Sequence, residues 1–194
     1  MSMEPMDWTR ECQRLAAQME KGNLILYPTE TIWGIGCDAT NEEAVAKIDA
    51  LKKRKEGKNY ILLVDHIERL KDYVGYIPPK ASKLIAYHTR PLTIIYEQVK
   101  NLPQSLLAED GSIAIRVTQD PFCQALVAHL GKPIVSTSAN TSGKPYPKQF
   151  SDLETRILKG VDAVAQYRQE EVSNQTPSTI VKVIDGEDLV FIRK

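Results

Sequence analysis

The chain predicts an α/β fold, a twisted sheet of mixed parallel and antiparallel strands flanked by helices. Three observations carry this. Short apolar runs rich in β-branched residues alternate with amphipathic helical stretches through most of the chain. The last two runs, Thr179–Ile184 and Leu189–Arg193, are separated only by Asp185-Gly186-Glu187-Asp188 and read as a hairpin. No repeat, low-complexity tract or interdomain linker interrupts the 194 residues, so residues 1–194 are expected to form one domain.

Taken in order, Trp8, Cys12, Leu15, Ala16 and Met19 recur at spacings of three and four, predicting a helix from Asp7 to about Glu20 closed by Lys21 and Gly22. Leu24–Tyr27 is a short apolar strand. Pro28 then removes a backbone donor, and Gly34 and Gly36 read as a glycine-bearing turn. Thr40-Asn41-Glu42-Glu43 opens a second helix with buried face Ala44, Val45, Ile48 and Leu51. Tyr60–Val64 is a continuous apolar run, expected of a central strand. Short helices near Ile67–Tyr73 and Pro79–Tyr87 precede a strand over Pro91–Tyr96, and Gln98–Gly111 reads as a loop with one helical turn. Ile113–Val117 is a strand, Pro121–Leu130 a helix with Phe122, Ala125, Leu126 and Leu130 inward, and Ile134–Val135 a brief strand. A loop over Lys144–Phe150, a helix over Ser151–Leu158, a strand over Ala163–Ala165 and a polar loop over Arg168–Pro177 complete the path to the hairpin.

Composition narrows the function. With 42% hydrophobic residues the chain can bury a sizeable core, which excludes a disordered protein. Lys+Arg and Asp+Glu both number 25, and this zero net charge argues against a protein whose main work is wrapping nucleic acid, while leaving room for a local basic patch. Cys12, Cys37 and Cys123 are odd in number and far apart, so reduced thiols in a cytoplasmic protein are expected rather than disulfides or a zinc site. No 18-residue apolar run supports a membrane span. His66, His88 and His129 are scattered, and no Walker loop, nucleophile elbow or complete dinucleotide fingerprint occurs.

Several stretches carry candidate chemistry, each with a plainer alternative. Tyr27–Gly36 delivers Thr29, Thr31, Glu30 and Trp33 at a strand end, where ligands sit in α/β sheets; it also reads as a mere strand and tight turn. Lys52–Lys58 is either a solvated helix terminus or a polyphosphate clamp. Ser136-Thr137-Ser138-Ala139-Asn140-Thr141-Ser142-Gly143 is either a cap-rich turn or a cradle of hydroxyl and amide groups. Arg116 alternates with Ile115 and Val117, so it is either a surface residue on an edge strand or a buried cation that needs an anionic partner. Pro177-Ser178-Thr179 leads into a strand with hydroxyls at its first positions.

Together these segments resemble the YrdC/TsaC family of threonylcarbamoyl-adenylate synthases. Tyr27-Pro28-Thr29-Glu30-Thr31-Ile32-Trp33-Gly34-Ile35-Gly36 is similar to its Y-P-T-[DE]-T-x-[YW]-G-[LI]-G signature, Lys52-Lys53-Arg54 to its K-x-R, and Ser138-Ala139-Asn140 to its S-x-N. Ile115-Arg116-Val117 and Pro177–Val181 match two further blocks in the same order. The resemblance implies a YrdC-like domain with a concave basic cavity that condenses ATP, L-threonine and bicarbonate to threonylcarbamoyl-AMP and pyrophosphate. The product serves the N6-threonylcarbamoyl modification of adenosine 37 in tRNA, with threonylcarbamoyl-transferase machinery as partner. By position, Thr31, Arg116, Ser136 and Ser178 would hold threonine. Lys52 and Arg54 would be catalytic, and Arg54, Lys58, Ser112, Ser138, Asn140, Tyr146 and Arg193 would line the ATP side. Magnesium would arrive with the nucleotide, with no dedicated protein cage. Trp33, by its shape, is expected as lid or floor of the threonine pocket. Lys55, Arg90 and Tyr146 depart from the usual pattern and lean towards the YciO-like branch, whose alternative reading is a protein that binds tRNA or double-stranded RNA with weak or no synthase activity.

Overall fold

The structure is a computed structural model that describes residues 7–53, 60–172 and 177–193. Helix α1 (Asp7–Glu20) buries Cys12, Leu15, Ala16 and Met19, and ends where Gly22 takes a left-handed φ of 75°. Strand β1 (Ile25–Tyr27) then pairs antiparallel with β2 (Gly34–Gly36). The expected glycine turn is therefore a strand, and the turn is residues 28–33. Glycine is required here by close approach: a Cβ at Gly36 would lie 2.7 Å from the Tyr27 ring and 2.9 Å from the Val135 carbonyl oxygen.

Helix α2 (Glu42–Lys52) starts at Asn41, whose side chain accepts a 3.1 Å hydrogen bond from the Ala44 amide. Ala44, Val45 and Ile48 are buried as expected; Leu51 is half-buried and Lys52 buried in its stead. Strand β3 (Ile61–Val64), helices α3 (Ile67–Leu70) and α4 (Pro79–Tyr87), and strands β4 (Leu92–Tyr96) and β5 (Ile113–Val117) follow, with a 3-10 turn at Gln104–Leu106 in the intervening loop. Helix α5 (Pro121–Leu130) is capped by Asp120, whose carboxylate accepts from the Cys123 amide, and closed by Gly131. Its inward face is Phe122, Cys123, Leu126, Val127 and Leu130, whereas Ala125, expected inward, sits at the margin.

Strand β6 (Ile134–Ser138) runs three residues beyond the expected two. Ser136, Thr137 and Ser138 stay extended because both edges find partners: Ser136 pairs with Ile61 of β3, and Thr137 and Ser138 pair with Ile35 and Gly34 of β2. The helix expected over Ser151–Leu158 is instead a 3-10 turn at Phe150–Asp152 and then α6 (Thr155–Gly160). The Asp152 carboxylate accepts from the Lys148 amide and the Gln149 side chain, closing the first turn on itself before Leu153 goes extended. Strands β7 (Ala163–Val164), β8 (Thr179–Ile184) and β9 (Asp188–Arg193) end the described chain.

Among the described residues nine strands form one sheet in the order β7-β1-β2-β6-β3-β5-β4-β8-β9. Pairs β1/β7, β3/β5 and β4/β8 are parallel and the others antiparallel, the expected mixed sheet. Helices α1 and α5 pack on it together, with the Trp8 and Phe122 ring centroids 6.2 Å apart and Phe122 stacked on Tyr167 at 4.8 Å. All three cysteines are buried free thiols, and burial pushes Cys12 up to about 12. Among the described residues no helix is long and apolar enough to cross a membrane.

Candidate functional site

The sheet order places five segments side by side that are far apart in the chain: the 28–33 turn, the middle of β5, the end of β6, the residue before β8 and the end of β9. Between them lies a cavity of about 310 Å³, near the lower end of the roughly 300–1,000 Å³ typical of small-molecule sites. Thr31, Arg116, Ser136, Ser138, Tyr146, Ser178 and Arg193 all line it.

The turn is organised by Thr29. Its hydroxyl donates to the Ile32 carbonyl at 2.8 Å and accepts from the Thr31 and Ile32 amides, and it lies 2.9 Å from the Thr31 hydroxyl. Local hydrogen bonding thus holds Thr31, which is only 4% exposed, at the cavity wall. Ser178 is fixed from two sides. Its hydroxyl is 2.8 Å from that of the fully buried Thr93, and its carbonyl accepts from Arg193 Nε at 3.0 Å and Nη2 at 2.7 Å.

Two guanidinium groups face this one space. Burial, and then the charge of Arg116, lower the Arg193 pKa from its usual value. Among the described residues no carboxylate lines the cavity, so Arg116 and Arg193 favour an anionic ligand. Arg116 is 4% exposed, and the anionic partner that burial demands belongs to the protein itself: Glu30 Oε1 lies 3.2 Å from Arg116 Nε. The angle makes this an ion pair rather than a directed hydrogen bond, and among the described residues Nε has no acceptor within bonding geometry. Both Glu30 oxygens accept from the Thr118 hydroxyl at 3.2 Å.

The other expected site residues are placed differently. Lys52, expected to be catalytic, does not line the cavity. It is 3% exposed, and its ammonium donates to the Ser138 carbonyl and, at 2.6 Å, to the Asn140 carbonyl. Asn140 is likewise absent from the wall: its amide donates to the Lys144 carbonyl at 2.6 Å and the Thr141 carbonyl at 3.2 Å, folding the loop after β6. Ser112 lies at the start of β5, hydrogen-bonded to the Asp110 carboxylate and apart from the cavity. Arg54 and Lys58, with Lys55, lie outside the described residues. Trp33 is neither lid nor floor. It is 3% exposed, packs on Phe150 at a centroid distance of 5.1 Å, and leaves the wall to Ile32.

Thr29 and Thr137 also line the cavity without having been assigned a role. Thr29 stood in the predicted stretch, and its position two before Thr31 is the signal of a hydroxyl-braced turn. A second cavity of about 340 Å³ lies beside His88, Arg90, Leu92, Val117, Gln119 and Asp120, with Glu30 in its wall. Among the described residues no group of three or more His, Cys, Asp or Glu is arranged to hold a metal ion.

Known proteins align with this chain over most of its length. A threonylcarbamoyl-AMP synthase of Pseudoalteromonas translucida is 34% identical over 173 residues, 87% of this chain and 91% of its own. One of Stutzerimonas stutzeri is 33% identical over 182 residues, 93% of this chain and 96% of its own. Among solved structures, E. coli YciO superposes with a TM-score of 0.82 at 26% identity, covering 96% of this chain and 89% of its own. Sua5 of P. abyssi, solved with L-threonine, superposes with a TM-score of 0.84 at 24% identity, covering 95% of this chain and 54% of its own. The family model Sua5/YciO/YrdC, described as telomere recombination, matches residues 17–194, and the chain belongs to that family.

Proposed function

We propose that this protein is an L-threonylcarbamoyladenylate synthase, a nucleotidyltransferase that condenses L-threonine, bicarbonate and ATP. The observation that carries this is the convergence of Arg116, Thr31, Ser136 and Ser178 on one small cavity that also holds a second guanidinium, Arg193. Threonine offers a carboxylate for Arg116 and a short hydroxyl for the Ser and Thr groups. The carbamate formed on its amine, with loss of water from bicarbonate, attacks the α-phosphorus, and the bond to the β-phosphate breaks as pyrophosphate leaves. No covalent enzyme intermediate is needed, so positioning and charge stabilisation carry the rate. Ser138, Tyr146 and Arg193 face the nucleotide in this reading; Arg54 and Lys58, outside the described residues, are assigned to its phosphates by resemblance alone. Lys52 and Asn140 act by holding the Ser138–Asn140 loop. Magnesium would ride on the phosphates, where it neutralises charge. The product would supply a threonylcarbamoyl transferase acting on tRNA.

The relatives named threonylcarbamoyl-AMP synthase support this reading at 34% and 33% identity. The test is pyrophosphate release from ATP with bicarbonate. Release is expected only when threonine is present, with a threonylcarbamoyl adenylate as co-product. Folded protein that gives no threonine-dependent release beside a working family control would falsify the reading.

A further inference from the structure

We propose that Glu30 is a positioning residue that holds Arg116 in place to present its guanidinium to a ligand carboxylate. The effect on threonine rests on the synthase reading above; the contact itself does not.

Glu30 is not placed to touch the ligand. Its carboxylate stands behind Arg116, in the wall of the second cavity rather than the first. It is anchored from the core side: the hydroxyl holding it belongs to Thr118, which is fully buried and whose amide donates to the Val64 carbonyl of central strand β3 at 3.0 Å. A chain of contacts therefore runs from β3 through Thr118 and Glu30 to the Nε edge of Arg116. Nε is fully buried while the residue lines the cavity, so the terminal nitrogens are the ones left to fork onto a carboxylate. A guanidinium swings about a long, flexible stem, and a fixed Nε edge removes that freedom before the ligand arrives.

Counter-charge alone makes the opposite prediction. A carboxylate beside Arg116 repels a ligand carboxylate, so if charge were its whole effect, removing it would tighten anion binding. Positioning predicts loosening. Full-length Glu30→Gln and Glu30→Ala proteins, titrated calorimetrically with L-threonine, L-threoninamide and ATP, separate the two. We expect threonine to bind about threefold more weakly in Glu30→Gln and about tenfold more weakly in Glu30→Ala, the scale of one ordinary hydrogen bond. Threoninamide, which lacks the carboxylate, and ATP should each change by less than about twofold. Threonine binding that is unchanged or tighter, or an equal loss for all three ligands, would overturn the proposal.

A second readout needs no substrate. Solvent exchange of the Arg116 Nε–H, followed by NMR and assigned with Arg116→Lys, should be slow in the parent and faster by about tenfold or more in Glu30→Ala, the response of a site whose local protection is lost. Equal exchange rates overturn the contact. A parent that binds no threonine, yet whose Nε–H exchange responds to Glu30→Ala, would sink the synthase reading and leave the Glu30–Arg116 contact standing.

Discussion

Replacing Lys52 with Met keeps the side chain's apolar length and removes only the ammonium. In the native fold that ammonium is 3% exposed and donates to the Ser138 and Asn140 carbonyls, tying the last turn of α2 to the loop after β6. The Ser138 carbonyl keeps a second partner, the Asn140 amide at 2.9 Å. The Asn140 carbonyl is the one set to lose most, at about 1–3 kcal/mol for an acceptor left unsatisfied in a buried setting. Sparing the desolvation of a buried ammonium offsets part of that. A net loss of about 1 kcal/mol, at about 2–4 °C per kcal/mol for a chain of this size, lowers the melting temperature by about 2–4 °C. Because the loop carries Ser138 into the cavity, nucleotide and threonine binding should weaken together. Differential scanning calorimetry, followed by ligand titration, reads both. An unchanged melting temperature with complete loss of ATP use would refute this reasoning and put the ammonium on the nucleotide instead.

Gly36→Ala forces a Cβ to 2.7 Å from the Tyr27 ring and 2.9 Å from the Val135 carbonyl, which β6 pairing holds in place, and overpacking of this kind costs about 1–3 kcal/mol or about 2–12 °C in melting temperature. Gly34→Ala meets nothing closer than 3.5 Å and should melt within about 2 °C of the parent, so equal losses in thermal scans of the two variants would contradict the close-packing account. Glu154 is held below the usual carboxylate range, at about 2, by Lys144 and then by the Thr141 amide. A carboxyl depressed in the folded state contributes stability that is present above its unfolded value, near 4.5, and is lost as the pH falls through about 2. Glu154→Gln should therefore cost about 1 kcal/mol at pH 7 after solvent screening, with the gap closing between pH 4.5 and pH 2 in melts across that range; a gap that persists below pH 2 would show that charge is not its source.

Much of the fold could be read locally. The apolar run of β3, the Asn41 cap of α2, the Asp120 and Gly131 boundaries of α5 and the late hairpin each announce themselves within a few residues. What misled was also local. Gly34 and Gly36 signal a turn by composition, yet both lie in β2, where pairing with β1 and β6 holds them and the Tyr27 ring leaves no room for a Cβ at Gly36. Ser136-Thr137-Ser138 signals a loop by polarity, yet stays in β6 because strands on both sides satisfy its backbone. Seven of the residues that the ordered motifs single out, Thr31, Arg116, Ser136, Ser138, Tyr146, Ser178 and Arg193, line one cavity. Their division of labour was not legible. Lys52 reads as one member of a charge run, and only a partner 86 residues away shows that it is buried. Glu30 finds its partners Arg116 and Thr118 at similar separation, which no local pattern encodes.

Threonine is expected to bind in the cavity walled by Thr31, Arg116, Ser136 and Ser178. A crystal structure of the protein grown with L-threonine tests it most directly. The threonine carboxylate should lie within hydrogen-bonding distance of the Arg116 terminal nitrogens, its hydroxyl among the Ser and Thr groups, with Glu30 still behind Arg116. Threonine seated instead in the second cavity, beside His88 and Arg90, or failing to bind at saturating concentration, would contradict it.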